Sequence, residues 1–337
     1  MSVTAAVRAR FSVSLRGAFG DTGLDDAWAE ALRSAATRTV FQEKGWQQCW
    51  WDAYGRGDLV IVVCRAPARP PVIAPLFIDG GMAFFVGSGG SDYLDFIGDA
   101  AAAGVLAAIL GAVRERYPDL IGFRFYHVPD TSRTAEALRR AAQSLALVCH
   151  EEESLVAPAL DLARGGAAAV RKQSLVRHER YFRREGDLEV VHMRTAADIE
   201  PLLPAFFVQH VERWADTPTP SLFCDAVHRS FYERLARASD ALDWIRFTLL
   251  RWNARPIAFH FGFSRDGAYL WYKPAFDRSL ARRSPGEVLL RQLLLAAMEE
   301  DAHTFDFGIG DEGFKARFAT RVTVVRNWGV YDPRLCR

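Results

Sequence analysis

One order of elements, met twice, constrains this chain more than any other feature: a short-turn run of strands, then a helix, then another strand. In the second half the strand candidates are DWIRFTLLRW (243–252), RPIAFHFGFS (255–264) and AYLWYKPAF (268–276). The turns between them fall at Asn253-Ala254 and at Arg265-Asp266-Gly267, which suits antiparallel hairpins. SPGEVLLRQLLLAAMEE (284–300) reads as a helix, with Ser284 as N-cap, Pro285 at the first helical position and Glu287 completing a capping box. HTFDFG (303–308) and RVTVVRNWGVY (321–331) close the chain as strands. The first half repeats the order with LVIVVC (59–64), PVIAPLFI (71–78) and MAFFVG (82–87), a helix over 101–117, a strand over 121–128 and a helix over 134–146. No strict sequence repeat accompanies this, but the order predicts a duplicated α/β unit. The junction is expected near the Gly-interrupted basic segment 161–186, giving domains 1–160 and 161–337.

Composition removes several function classes. The chain has 337 residues, half of them hydrophobic, with a formal net charge of only +1, so the whole molecule is no electrostatic nucleic-acid binder and no DNA partner is expected. Cys49, Cys64, Cys149, Cys224 and Cys336 are widely spaced with no C-x-x-C pair, which argues against a disulfide framework and a zinc site; no metal is expected. The N-terminal stretch MSVTAAVRARFSVSLRGAFG lacks a continuous apolar core, and no run approaches the roughly 20 apolar residues that cross a bilayer. A cytoplasmic protein without a membrane span is the expectation.

Strand periodicity then singles out residues. In IAFHFGFS, Ile257, Phe259, Phe261 and Phe263 share one face, and His260 lies on the other between Ala258 and Gly262. Small neighbours leave room for a ligand beside the histidine. A core histidine under a helix fits equally well. In HTFDFG, Phe305 and Phe307 take the packed face, which assigns Asp306 to a polar side like that of His260. A half-buried carboxylate needs a partner: His260, Lys315, an arginine or backbone N–H groups. The Ser284-Pro285-Gly286 helix start, preceded by Arg282 and Arg283, offers an anion cradle. Tyr272 is a candidate proton donor. The helix around Arg171–Arg184 is basic; a solvated face is the first reading, a phosphate-rich donor or an RNA the second.

The run YKPAFDRSLARRSPGEVLL, followed a helix later by FDFGIGDEGFKARF, resembles the CelD/BcsL-type branch of the GNAT acyltransferase superfamily. The matching pattern is Ser284-Pro285-Gly286, then Asp306-Phe307-Gly308, Gly310, Glu312, Phe314 and Lys315. FQEKGWQQCWWDAYG, GSGGSDYLDF and the basic helix resemble that branch too, so the likeness spans nearly the whole chain. It implies an α/β (α+β) chain of two tandem GNAT-like domains, each a mixed, mostly antiparallel sheet flanked by helices, as in Fem-type aminoacyl transferases. It implies acyl transfer to an amine of a small molecule, peptide or saccharide precursor, from acyl-CoA as co-substrate with no tightly bound cofactor. Aminoacyl-tRNA is the alternative donor, and a non-catalytic binding module the third reading. The GNAT pyrophosphate loop R/Q-x-x-G-x-G/A is replaced here by Arg282-Arg283-Ser284-Pro285-Gly286-Glu287.

These readings give one set of site residues. His260 is the base, Asp306 its orienting partner or the acceptor's ligand, and Tyr272 the acid for the leaving thiolate. Arg282, Arg283, Ser284 and Gly286 are expected to hold the donor's phosphates. Lys315, Glu312, Trp271 and Lys273 are expected to contact substrate.

Overall fold

The computed structural model describes residues 10–217 and 219–334, so Cys336 and the first nine residues of the N-terminal stretch lie outside the described part. The other four cysteines are free thiols. No helix among the described residues is long and apolar enough to cross a membrane.

The chain forms two compact units, one running to Val156 and joined by the segment from Thr323 onward, the other Ala157–Val322. Unit 1 holds β1 (Ser12–Arg16), α1 (Leu24–Ser34), α2 (Lys44–Tyr54), β2 (Asp58–Arg65), β3 (Val72–Asp79), β4 (Met82–Phe85), α3 (Val105–Arg116), β5 (Gly122–Pro129), α4 (Thr134–Ser144) and the first part of β6 (Val148–Asp161). Unit 2 holds the end of β6, α5 (Ala167–Val170), α6 (Gln173–Glu185), β7 (Leu188–Met193), α7 (Ala196–Ile199), α8 (Leu203–Trp214), α9 (Ala226–Arg237), β8 (Ile245–Trp252), β9 (Arg255–Arg265), β10 (Ala268–Phe276), α10 (Pro285–Glu299), β11 (Thr304–Asp306) and α11 (Gly313–Ala316). The last strand, β12 (Arg321–Tyr331), returns to unit 1.

The two units share one topology. In unit 1 the strand order is β1-β2-β3-β4-β5-β12, antiparallel throughout except for the parallel β4–β5 pair. In unit 2 it is β7-β8-β9-β10-β11-β6, again antiparallel except for the parallel β10–β11 pair. The sixth strand of each is exchanged: unit 1 takes its own from the chain end, and unit 2 takes the stretch that precedes α5. A sequence division at 160 assigns all of 161–337 to one domain; the pairing of β12 with β5 is what draws the last segment back. Within unit 1, the glutamates of β6 are matched by β5 and β12: Arg124 binds Glu152 at 2.8 Å, Asn327 binds Glu153 at 2.7 Å, and Arg326 and Tyr331 reach Glu151 and Glu152.

The core of unit 2 explains the helix positions. α10 buries Val288, Leu289, Leu293, Leu294 and Ala297 against the sheet, each large side chain contributing about 1.5–3 kcal/mol. α6 adds Leu175 and Phe182 to the same core. Its buried Glu179 joins the two helices, accepting from Arg183 within α6 and from Arg291 of α10. Ser284 occupies the cap position of α10, but in a left-handed conformation (φ 54°) without a side-chain cap bond, so the expected capping box does not form. Glu287 instead binds Arg317 at 2.8 Å.

The exchanged strand makes unit 1 dependent on the chain end. A chain ending at Thr320 should become protease-sensitive between residues 10 and 156, because β5 loses its antiparallel partner, while segments of unit 2 stay protected. Undiminished protection of unit 1 in limited proteolysis would contradict this pairing.

Candidate active site

β10 and β11 are paired over only three positions, Ala268↔Thr304, Tyr269↔Phe305 and Leu270↔Asp306. β11 then ends and turns away: Phe307 N–H donates to Pro158 O at 3.0 Å. β10 continues for six more residues, Trp271 to Phe276. The sheet of unit 2 therefore opens at the carboxyl ends of two parallel strands, where ligand crevices form in α/β sheets. Unit 1 diverges at the matching place, after Phe84↔Arg124. There the chain's own loop fills in, with Leu94 N–H donating to His127 O at 3.0 Å and Ile97 bridging to Ile73.

At the opening β10 carries a bulge between Leu270 and Lys273. A bulge frees a backbone N–H, and a buried unsatisfied N–H costs about 1–3 kcal/mol. His260 satisfies it: Tyr272 N–H donates to His260 Nε2 at 3.1 Å. The imidazole is fully buried, stacked beside Trp271 (5.3 Å) and Tyr269 (6.4 Å). Gly262 makes space for it, since a Cβ there would stand 1.9 Å from His260 Cε1. Because Nε2 accepts, the ring proton belongs on Nδ1, which has no protein partner. Burial, helped by the charge of His192, lowers the His260 pKa to about 3. His260 is thus a neutral acceptor that holds the bulge, a poor match for a base that must work near neutral pH.

Thr248, which periodicity did not select, and Tyr269, on the side of Trp271 by strand period, complete this face. Thr248, fully buried, lies opposite His260 on β8 and hydrogen-bonds both His192 (2.9 Å) and Tyr269. Burial raises the Tyr269 pKa well above that of a free tyrosine, which keeps the phenol protonated. Their only signal in the sequence is their register opposite or beside the histidine.

Asp306 does not share the side of His260. Its neighbour Phe305 stacks on Tyr269 (5.7 Å, 6°), which places Phe305 on the histidine face. Asp306 aligns with Leu270 and, through it, with Phe263, on the opposite face. Its Oδ1 accepts the Gly308 N–H at 2.8 Å. Tyr272 also turns its ring to that opposite face, toward Phe263 (5.2 Å) and Tyr232 (6.5 Å). The bulge moves Lys273 there as well, in register with Phe261 rather than beside Trp271, with its ammonium 4.1 Å from the Tyr272 ring centre. One face of the opening therefore carries His260 and Trp271, and the other Tyr272, Lys273 and Asp306.

Lys315 and Glu312 close the turn after β11. Lys315 is 3% exposed, donates to Ile309 O at 2.8 Å and pairs with Glu312 at 2.7 Å. Gly310 (φ +125°) has no room for a side chain, since a Cβ would meet Glu312 Oε2 at 2.3 Å. Lys315 is thus committed to holding the turn, with the half-exposed Glu312 as its ion-pair partner. Arg282 and Arg283 are exposed on the 3₁₀ turn Arg278–Arg283, and Gly286 packs at the start of α10 against Phe276.

This architecture has known counterparts. Residues 169–316 match the family described as "Acetyltransferase (GNAT) domain". Among solved structures, the chain is similar to FemX (10% identity, 92% of this chain and 96% of that one, TM-score 0.59). It is similar to a tandem GNAT protein from the clavulanic acid biosynthesis pathway (12%, 96% and 98%, TM-score 0.56). A third is the C-terminal domain of a putative lysylphosphatidylglycerol synthetase from Agrobacterium fabrum (14%, 92% of each chain, TM-score 0.55). A search of curated proteins returned no match. At these identities the likeness is one of fold: two GNAT-like domains in tandem.

The buried histidines give the fold a pH signature. His260 and His210, whose Nδ1 lies 2.8 Å from Ser221 Oγ, both have pKa values lowered to about 3 by burial. The unfolded chain, with histidines near their ordinary value of about 6.5, binds more protons below that pH. Stability is therefore lost as pH falls from about 6.5 toward 3, each histidine costing about 2 kcal/mol by pH 5. His260→Gln, which keeps an acceptor for Tyr272 N–H, should show a smaller loss between pH 7 and pH 5 by about that amount in denaturant titrations. An unchanged pH dependence would contradict a neutral buried imidazole.

Proposed function

We propose that the chain is an N-acyltransferase whose chemistry is carried by unit 2. The observation that carries this reading is the opening of the β10–β11 pair, where a bulged strand runs on past its parallel partner. A flat acyl thioester laid against that edge would replace the missing strand and meet backbone N–H groups suited to its carbonyl oxygen. The loop over residues 87–97 fills the matching place in unit 1, which favours a single reaction site. The donor is read as acyl-CoA or an acyl carrier protein, the acceptor as an amine of a small molecule, peptide or saccharide precursor.

The amine nitrogen attacks the thioester carbon, the carbon–sulfur bond breaks, and an amide and a thiol are the products. The ammonium form of the acceptor must first lose a proton. Asp306, on the face opposite His260, is assigned to bind that ammonium and take its proton; Tyr272, on the same face, is assigned to protonate the leaving thiolate. Lys273 lies beside Tyr272 and would attract a carboxylate or phosphate on the acceptor. His260 keeps the bulge in shape and stays neutral throughout.

The second reading is a donor carried on RNA, as in the Fem-type transferases. The basic character of α6 favours it. RNase treatment of a lysate-based assay separates the two: activity that survives supports the thioester donor.

With an acyl-CoA donor and an amine acceptor, Asp306→Asn and Tyr272→Phe should each lower kcat by about 10²-fold or more. His260→Gln should retain kcat within about tenfold and keep the wild-type pH profile. Disappearance of the acid limb of kcat/KM in His260→Gln would return the base to His260.

A further inference from the structure

Helices α8 and α9 cover one face of the unit 2 sheet: Phe206 of α8 meets Phe259 and Phe261, and Tyr232 of α9 meets Phe261 and Tyr272. This is the face that carries Tyr272, Lys273 and Asp306. Arg213, half-buried in the last turn of α8, lies there between two aromatic rings. Its guanidinium carbon is 5.1 Å from the ring centre of Trp214 and 4.5 Å from that of Phe276 at the end of β10. Stacking fixes the plane of a guanidinium and leaves its N–H edge for a planar anion.

Arg213 has no carboxylate partner among the described residues. Burial and the charge of Arg278 both lower its pKa, and the nearby Asp216 is taken by Arg278 at 2.6 Å. Lys273 adds a second cation. Burial lowers the pKa of His210 on α8 and of His228 on α9, and the charge of Lys273 acts in the same direction on both. The charge of Arg213 also acts on His210, so both cations lie within reach of one imidazole. The indole Nε1–H of Trp214 is buried without an acceptor. A cation drawn out of water without an anion is costly, and two such cations repel each other. The anionic group of a ligand relieves both costs.

The ladder gives the scale. Asp306 is level with Leu270, which pairs with Phe263; Lys273 pairs with Phe261, and Phe276 with Ala258. Along β9 these steps are two and five residues, or roughly 7 and 17 Å at about 3.3 Å per residue. An amine at Asp306 and an anion between Lys273 and Arg213 are therefore roughly 10–15 Å apart. A free amino acid is too short to bridge them, whereas about three to five extended residues reach.

We propose that the ends of α8 and β10 form an anion subsite for the acceptor, in which Arg213 and Lys273 grip the C-terminal carboxylate of an extended peptide of about three to five residues whose amine lies at Asp306. The proposal rests on the transferase reading for the place of the amine; it adds the class of acceptor and names Arg213 as a residue that selects it.

Binding and turnover test this separately. The probes are tetra-alanine, its C-terminal amide, alanine and glucosamine 6-phosphate, each titrated into the full chain by calorimetry. Tetra-alanine should bind at least about tenfold tighter than its amide or alanine. That preference should disappear in Arg213→Gln and survive in part in Arg213→Lys. Arg237→Gln, at an exposed position of α9, should change affinity less than about twofold. The acid-to-amide ratio of the wild type decides the matter by itself where an Arg213 variant lowers Tm. Equal binding of acid and amide, no binding of tetra-alanine, a preference untouched by Arg213→Gln, or tighter binding of alanine or glucosamine 6-phosphate overturns the proposal. Acetyl-CoA as donor then separates the subsite from the reaction. Transfer to acid and amide alike keeps the transferase and rejects the subsite. Carboxylate-dependent binding that Arg213→Gln abolishes, with no transfer to either peptide, upholds the subsite and counts against the acyl-CoA reading instead.

Discussion

The hydrogen bond from Tyr272 N–H to His260 Nε2 is the interaction on which unit 2 depends. Without it, the bulge in β10 would leave a buried donor with no acceptor, and the strand would gain by straightening. The bond requires a neutral imidazole, and burial supplies one. It requires space for the ring, and Gly262 supplies it. Trp271 and Tyr269 fix the ring's plane. Unit 1 meets a related demand with another side chain: His127, at φ 57° in an irregular stretch of β5, donates its N–H to Asn327 Oδ1 at 2.8 Å. In both units a side chain accepts the backbone hydrogen that the ladder leaves over.

The bulge ties local structure to chemistry. One inserted residue rotates Lys273 to the face that already holds Tyr272 and Asp306, while His260 and Trp271 stay on the other. The opening between β10 and β11 thus has an aromatic, neutral side and a side with ionisable groups. The proposed reaction uses that difference: the acyl chain needs an apolar surface, and the amine needs somewhere to leave its proton. The turn after β11 is kept rigid by the buried Lys315, so the end of the strand that carries Asp306 is a fixed point.

Much of the fold was legible because regular elements announce themselves locally. The hairpins of β8, β9 and β10 and the helix α10 follow from period and turn residues, and their order predicted the duplication. β6 was not legible. Its His150-Glu151-Glu152-Glu153 tract looks like a solvated loop until Arg124, Arg326, Asn327 and Tyr331 are seen to bind those glutamates from other strands. The exchange of β6 and β12 was hidden for the same reason, since partners far apart in sequence decide it. For the site, period two placed His260 and Asp306 correctly within their own strands. It could not tell which face of β9 continues into which face of β11, because the register across β10 and its bulge sets that. Reading Phe305 as facing away from the histidine gave the shared groove that the structure removes. The burial of Lys315 inside its own turn was not legible, because a charged, Gly-rich turn reads the same whether its lysine faces solvent or the backbone carbonyls.

An acyl donor is proposed to lie at the open end of β10 in unit 2. Hydrogen–deuterium exchange with and without a non-hydrolysable acyl-CoA thioether tests it most directly. Slower exchange is expected at residues 271–276 and 306–310, with little change at 82–97. Protection confined to 82–97, or none at 271–276 at saturating analogue, would contradict it.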